Sequence, residues 1–158
     1  MCIRDSINAD DRIMTSFAKD TQHPHTGRQA WDQWLRELEM LSGPVHLTLD
    51  IDGLDGALVP ATGTPVPGGL SYWQVIQTIE TLFANPSVFV ISADVNEIVP
   101  QKGTPLTQFT AACLATKIVA CHVRARQEGR WSPTQPEGDV EFAVDYFSAF
   151  EEHVISAF

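Results

Sequence analysis

Basic residues are scarce in this chain: 10 Lys and Arg stand against 20 Asp and Glu, for a formal net charge of -10 over 158 residues. Nucleic acid and anionic membrane surfaces select basic patches, so neither is expected as a partner. Cysteine is nearly absent too. Cys2, Cys113 and Cys121 have no metal-ligand spacing, and the last two share one face of a predicted helix. Buried, reduced thiols of this kind fit a cytoplasmic protein. No apolar run is long enough to span a bilayer, and the N-terminus has no apolar segment of the signal-peptide kind. There is no internal repeat and no low-complexity segment. What remains is a chain that is 44% hydrophobic, enough to form the core of one domain or part of one.

The first six residues, Met1-Cys-Ile-Arg-Asp-Ser6, match a translated sequencing-library adapter. Residues 1–6 are therefore expected to be non-native, the natural chain to have begun earlier, and residues 7–158 to be the C-terminal part of a single domain. Arg12 to Phe17 could form a short strand, and Gln22 to Gly27 reads as a loop in which His23 and His25 are solvated. Residues 28–41 are patterned as an amphipathic helix, with Trp31, Trp34, Leu35, Leu38 and Leu41 at three- and four-residue steps. Ser42-Gly43-Pro44 stops it and a strand over 45–51 follows at once.

Ser71 and Gln74 form a capping box for the next helix, which carries Ile76, Ile79, Leu82 and Phe83 inward and ends at Asn85-Pro86. Ser87 to Asp94 is a nearly continuous apolar strand of the type buried on both faces of a parallel sheet. Thr104 and Pro105 suit the start of a long helix to about residue 126, with Phe109, Cys113, Leu114, Ile118, Val119 and Val123 on its inner face. A last helix, roughly 138–157, carries Phe142, Tyr146, Phe147, Phe150 and Val154. Strand, helix, strand, helix with buried strands predicts a parallel sheet covered by helices, with the functional site beyond the carboxyl ends of the strands.

Acids gather at those ends. Asp50 and Asp52 alternate onto one face of the first strand, opposite Val45, Leu47, Leu49 and Ile51. Two like charges on one face repel unless a cation or a set of donors lies between them. An EF-hand is excluded: counting from Asp50, its pattern needs an acid where Leu54 stands, Gly where Asp55 stands and Glu where Ala61 stands. A Mn- or Mg-like cation suits carboxylate oxygens, whereas Asp55, three residues on, is placed to bond loop amides. The residues alone leave open whether the acids hold a metal or cap loop N–H groups. The second strand also runs into acids, Asp94 and Glu97.

These residues stand in register with a known pattern. Leu49-Asp50-Ile-Asp52, Pro60-Ala61, Thr62-Gly-Thr64-Pro65 and Gly68-Gly69 resemble the second metal-binding signature of the ureohydrolases, the arginase and agmatinase family. Asp94-Val-Asn-Glu97-Ile-Val-Pro100 resembles the family's Asp-Val-x-Glu-x-x-Pro segment, and the resemblance covers about residues 28–125. It implies an α/β fold, a three-layer α/β/α sandwich with a parallel sheet. It implies two Mn2+ per full-length subunit and hydrolysis of a guanidino (amidino) C–N bond by a metal-bridging hydroxide, releasing urea. By position, Asp50 and Asp52 would be metal ligands, while Glu97 and Thr64 would face a small cationic guanidino substrate. Arginine or polyamine metabolism and a homo-oligomer, trimer or hexamer, follow from the same resemblance.

Two departures qualify it. Gly56 stands where the family usually has Pro, which is expected to loosen the turn after Asp55. The family's other metal ligands, a His in one earlier loop and an Asp-x-His-x-x-x-Asp-like run, do not occur here. The chain by itself is therefore expected to be inactive. The alternative is a non-catalytic α/β domain of the same fold whose acids are structural. Trp73 begins a helix near the site, with core packing as its expected role.

Overall fold

A computed structural model describes residues 13–103 and 105–130. The expected helix at 138–157, the cap at Thr104 and residues 1–6 lie outside the described residues. Residues 13–17 have no regular structure, so the short strand expected there does not form. The described elements are α1 (Ala18–Thr21), α2 (Gly27–Glu39), β1 (Gly43–Asp50), a 3-10 turn (Ile51–Gly53), α3 (Tyr72–Ala84), β2 (Val88–Asn96) and α4 (Leu106–Gln127).

The helices start and stop for local reasons. His23 caps the approach to α2: its Nδ1 accepts from the backbone N–H groups of His25 and Thr26, each at 3.3 Å. Along α2, Trp31 and Trp34 lean on α3, their indole N–H groups donating to Gln77 Oε1 at 2.8 Å and Thr78 Oγ1 at 3.1 Å. The carboxyl end of α2 is satisfied from a distance. The buried Asn85 side chain donates to the carbonyls of Leu38, Glu39 and Leu41 at 2.9, 3.1 and 2.9 Å. Orphan carbonyls at a helix end need such partners when water is excluded. Ser71 and Gln74 form the expected capping box on α3.

β1 and β2 pair in parallel, from Gly43 opposite Val88 to Asp50 opposite Asn96. The connection through α3 is the βαβ unit that parallel pairing requires. The helices lie on one face of the pair. There Val88, Val90, Ile51, Ile79, Leu82, Phe83, Leu114 and Ile118 form the core, with Val45, Leu47 and Leu49 packed against it.

A register shift between Val45 and His46 leaves Ile91 as an extra residue in β2. It reverses which residues of β2 face the core. Val88 and Val90 are buried, but Ser92, Asp94 and Asn96 stand opposite His46, Thr48 and Asp50 on the open face. β2 is thus buried only in its first half among the described residues, not on both faces throughout. Ile91 is 42% exposed beside an apolar groove of about 480 Å³ between β2 and α4.

α4 corrects a second expectation. Leu114 and Ile118 do enter the core, and Cys113 is half-buried, but Phe109, Val119 and Val123 are 68%, 62% and 45% exposed. The buried stripe runs instead through Thr107, Thr110, Ala111, Leu114, Ile118 and Ala125. The helix is apolar on more than one side, and periodicity cannot choose between two apolar faces. By length and composition α4 is long enough to cross a membrane although no uninterrupted apolar run is; here it packs against α3 and β2.

Candidate functional site

The carboxyl ends of β1 and β2 lie side by side, and the loops that leave them meet. β1 ends at Asp50, one residue before the expected end, and Asp52 lies in the 3-10 turn that follows. Strand alternation is therefore not what brings the two acids together. The turn does so: the Asp50 carboxylate accepts from the Asp52 N–H at 3.2 Å and caps the turn. Burial, and then the nearby Asp52 side chain, push the Asp50 carboxyl above its ordinary pKa, while the bond from the Asp52 N–H opposes this. Ile51, between them, is fully buried and anchors the turn in the core.

The loop after this turn doubles back as two arms. Leu70 N–H donates to Gly53 O at 2.9 Å, Asp55 N–H to Leu70 O at 3.0 Å and Gly56 N–H to Val66 O at 2.8 Å. The Asp55 carboxylate spans both arms, accepting from Ala57 N–H at 2.9 Å and Gly68 N–H at 2.7 Å. Those two bonds hold its pKa below the ordinary value. Asp55 thus bonds loop amides, as its spacing suggests. Gly56 does not loosen the turn. Its N–H makes a bond that proline could not, and an added Cβ would come within 3.1 Å of Val66 O. At Gly69 a Cβ would lie 2.4 Å from the Leu54 carbonyl, so only glycine lets the arms close.

At the tip of the returning arm the Thr64 hydroxyl donates to Asp52 Oδ2. Behind it, Ala61 N–H donates to the fully buried Thr107 hydroxyl at 2.9 Å, which ties the loop to α4. Glu97, just past β2, takes φ of 62°, the left-handed region that side chains other than Gly and Asn avoid. Its carboxylate lies against Gly63, whose Cβ, if added, would sit 3.6 Å from Glu97 Oε2. Val99 N–H donates to Ala61 O at 3.0 Å and joins the two loops. Asp52 thus meets the Thr62–Thr64 turn at Thr64 and Glu97 meets it at Gly63, while Asp50 lies beside Asp52.

Asp94 is elsewhere. It accepts from the Thr48 hydroxyl at 2.7 Å and from Asn96 at 2.6 Å, and lies 3.1 Å from His46 Nε2. These partners, Thr48 first, hold its pKa down. His46 also meets Ser92 Oγ at 2.7 Å. The β1 side of this polar row follows from strand alternation, whereas Ser92 and Asp94 join it only through the register shift. If Val45, Leu47 and Leu49 share one face, then His46, Thr48 and Asp50 share the other. Trp73, expected in the core, is 70% exposed and stacks edge-on against Tyr72.

The donor chemistry decides whether a metal fits. Paired carboxylates on a rigid turn are hard oxygen donors of the kind Mn2+ and Mg2+ accept. Asp50 and Asp52 suit part of such a shell. Among the described residues no group of three or more His, Cys, Asp or Glu side chains gathers to complete one.

Fold and site define an α/β protein whose acidic loops meet at the carboxyl end of a parallel sheet, the usual place for ligands in this architecture. The chain belongs to the arginase family, whose model matches residues 3–121, further upstream than residue 28. It is 36% identical over 110 residues to an N(1)-aminopropylagmatine ureohydrolase of Thermococcus kodakarensis, a match covering 68% of this chain and 38% of that protein. Against an agmatinase of Pyrococcus horikoshii the identity is 30%, covering 72% and 40%. The crystal structure of a hypothetical agmatinase from Burkholderia thailandensis superposes with a TM-score of 0.54 at 35% identity, over 68% of this chain and 33% of that one. The fold is therefore arginase-like α/β, and the chain spans about two fifths of the length of these curated relatives.

Proposed function

We propose that this chain is the C-terminal part, residues 7–158, of a cytoplasmic, manganese-dependent ureohydrolase, with residues 1–6 derived from an adapter. The observation that carries the reading is that Asp52, with Asp50 beside it, meets the Thr62–Thr64 turn at Thr64 and Glu97 meets the same turn at Gly63, in a member of the arginase family. Asp50 and Asp52 would hold Mn2+, two ions per full-length subunit. When bound, the metal supplies a water acidified to act as nucleophile at neutral pH. Glu97 pairs with the guanidinium of a small cationic substrate, since a carboxylate matches that planar cation in charge and geometry. Thr64 lines the same pocket, and its hydroxyl is engaged with Asp52.

The names of the relatives favour an agmatine-like substrate, whose guanidino C–N bond is cleaved with release of urea. The full-length protein is expected to be a trimer or hexamer. Its activity is tested by urea release with added Mn2+ and agmatine. The 158-residue chain alone is expected to give no useful turnover, because two carboxylates bind Mn2+ weakly. The second reading is a non-catalytic α/β domain whose acids are structural, in the way that Asp55 bonds the Ala57 and Gly68 amides. It predicts urea release indifferent to Mn2+ and at background level in the full-length protein.

A further inference from the structure

The most connected residue of the loop has no part in the roles above. Asp55 accepts Ala57 N–H and Gly68 N–H on its carboxylate. Its own N–H bonds Leu70 O, and its carbonyl accepts Leu58 N–H at 2.8 Å and Val59 N–H at 3.2 Å. It thus belongs to the outgoing arm and grips the returning one. The grip needs an ionised carboxylate: an Asn side chain offers one acceptor oxygen, and its NH2 cannot pair with a backbone N–H. The returning arm then reaches Thr64 two residues beyond Val66, which is itself bonded to Gly56. There the Thr64 hydroxyl closes on Asp52 Oδ2.

We propose that Asp55 is a positioning residue: by holding the two arms in register it places the Thr64 hydroxyl on Asp52 and so orients that carboxylate for its cation. This rests on the metal reading of Asp50 and Asp52. Partners that orient a ligand from behind fix its geometry at no cost when the ion arrives, and their loss typically weakens metal binding 10- to 100-fold.

The test uses this chain and Mn2+ alone, read by paramagnetic broadening of amide NMR signals. In the wild type, Mn2+ is expected to broaden residues 50–53 and 62–65 together. Thr64→Val is expected to weaken Mn2+ about 10-fold and Thr64→Ser to restore it to within about 3-fold. Asp55→Asn is expected to weaken it by a similar factor and to speed hydrogen exchange at Gly68, while β1 and β2 amides keep their protection. Wild-type Mn2+ affinity in Thr64→Val, or in an Asp55→Asn protein whose Gly68 amide has opened, would overturn the positioning role and leave the metal reading standing. A wild type without broadening would overturn this role, since Asp52 then has no cation to be oriented for, while the metal reading of the full-length protein stands or falls on its own Mn2+-dependent urea release. Should Asp55→Asn fail to fold, Thr64→Val against Thr64→Ser decides.

Discussion

The two loops that leave the sheet hold their acids by opposite means. After β1, Asp52 is fixed by hydrogen bonds: the arms of residues 53–70 are laddered, Asp55 ties them, and Thr64 closes on the carboxylate. After β2, Glu97 is fixed by its backbone, a left-handed residue held between the strand and the Val99–Ala61 bond. Bonds are lost one partner at a time. Strain is stored in a single residue and persists only because its surroundings outweigh it. The first loop should therefore be sensitive at many positions, and the second should gain stability when glycine replaces its left-handed residue.

The largest effect expected is on chemistry. In the full-length protein Asp52→Ala should abolish Mn2+-dependent urea release, a loss of more than about 100-fold given what even indirect partners of a metal contribute. Near-wild-type turnover would sink the ligand assignment. Next is the closure of the first loop. Gly69→Ala forces a Cβ to 2.4 Å from the Leu54 carbonyl and should destabilise the chain by about 2–3 kcal/mol, read as a lower midpoint in urea. A change within error would mean that the arms can separate freely.

The second loop should respond with the opposite sign. Glu97→Gly relieves the left-handed strain and should stabilise by about 1 kcal/mol, a rise of about 2–4 °C in Tm. Glu97→Gln, which keeps the strain, should leave Tm unchanged while removing the charge that faces a guanidinium. If the two variants melt together, strain is not what holds Glu97. The smallest effect is with pH. The Asp55 carboxyl is depressed in the folded chain by two backbone N–H groups, so its contribution is complete above the unfolded pKa and fades as the pH falls through the folded one. Hydrogen exchange at Gly68, corrected for the intrinsic rate, should lose protection below about pH 4 and not above it. Protection that is flat through this range would remove the Asp55 grip from the contrast.

Much of the site was legible in the residues. The capping box at Ser71, the acids at the end of each strand and the loop-bonding role of Asp55 follow from local chemistry or from spacing, and the Thr-Gly-Thr turn from the family resemblance. What was misread has a common cause. Asp50 and Asp52 come together through a 3-10 turn rather than a strand, because the strand stops one residue sooner than its alternation suggests. Gly56 looked like a weakness only while its N–H partner, Val66 O, was unseen. Periodicity points Phe109, Val119 and Val123 inward because α4 is apolar on two sides, and only its neighbours choose one.

The sequence by itself determined the order of strands and helices from α2 to α4, the parallel pairing that order requires and the chemistry of the residues at the strand ends. The elements depend on contacts a few residues apart, which periodicity and capping record directly, and the pairing follows from their order. Tertiary structure alone decided the extra residue at Ile91, which turns Asp94 from the core toward Thr48 and His46. It also decided the positive φ of Glu97 and the closure of Thr64 on Asp52. The physical reason is separation along the chain. Thr48 and Asp94 are 46 residues apart, and whether their side chains meet is set by the register between two strands.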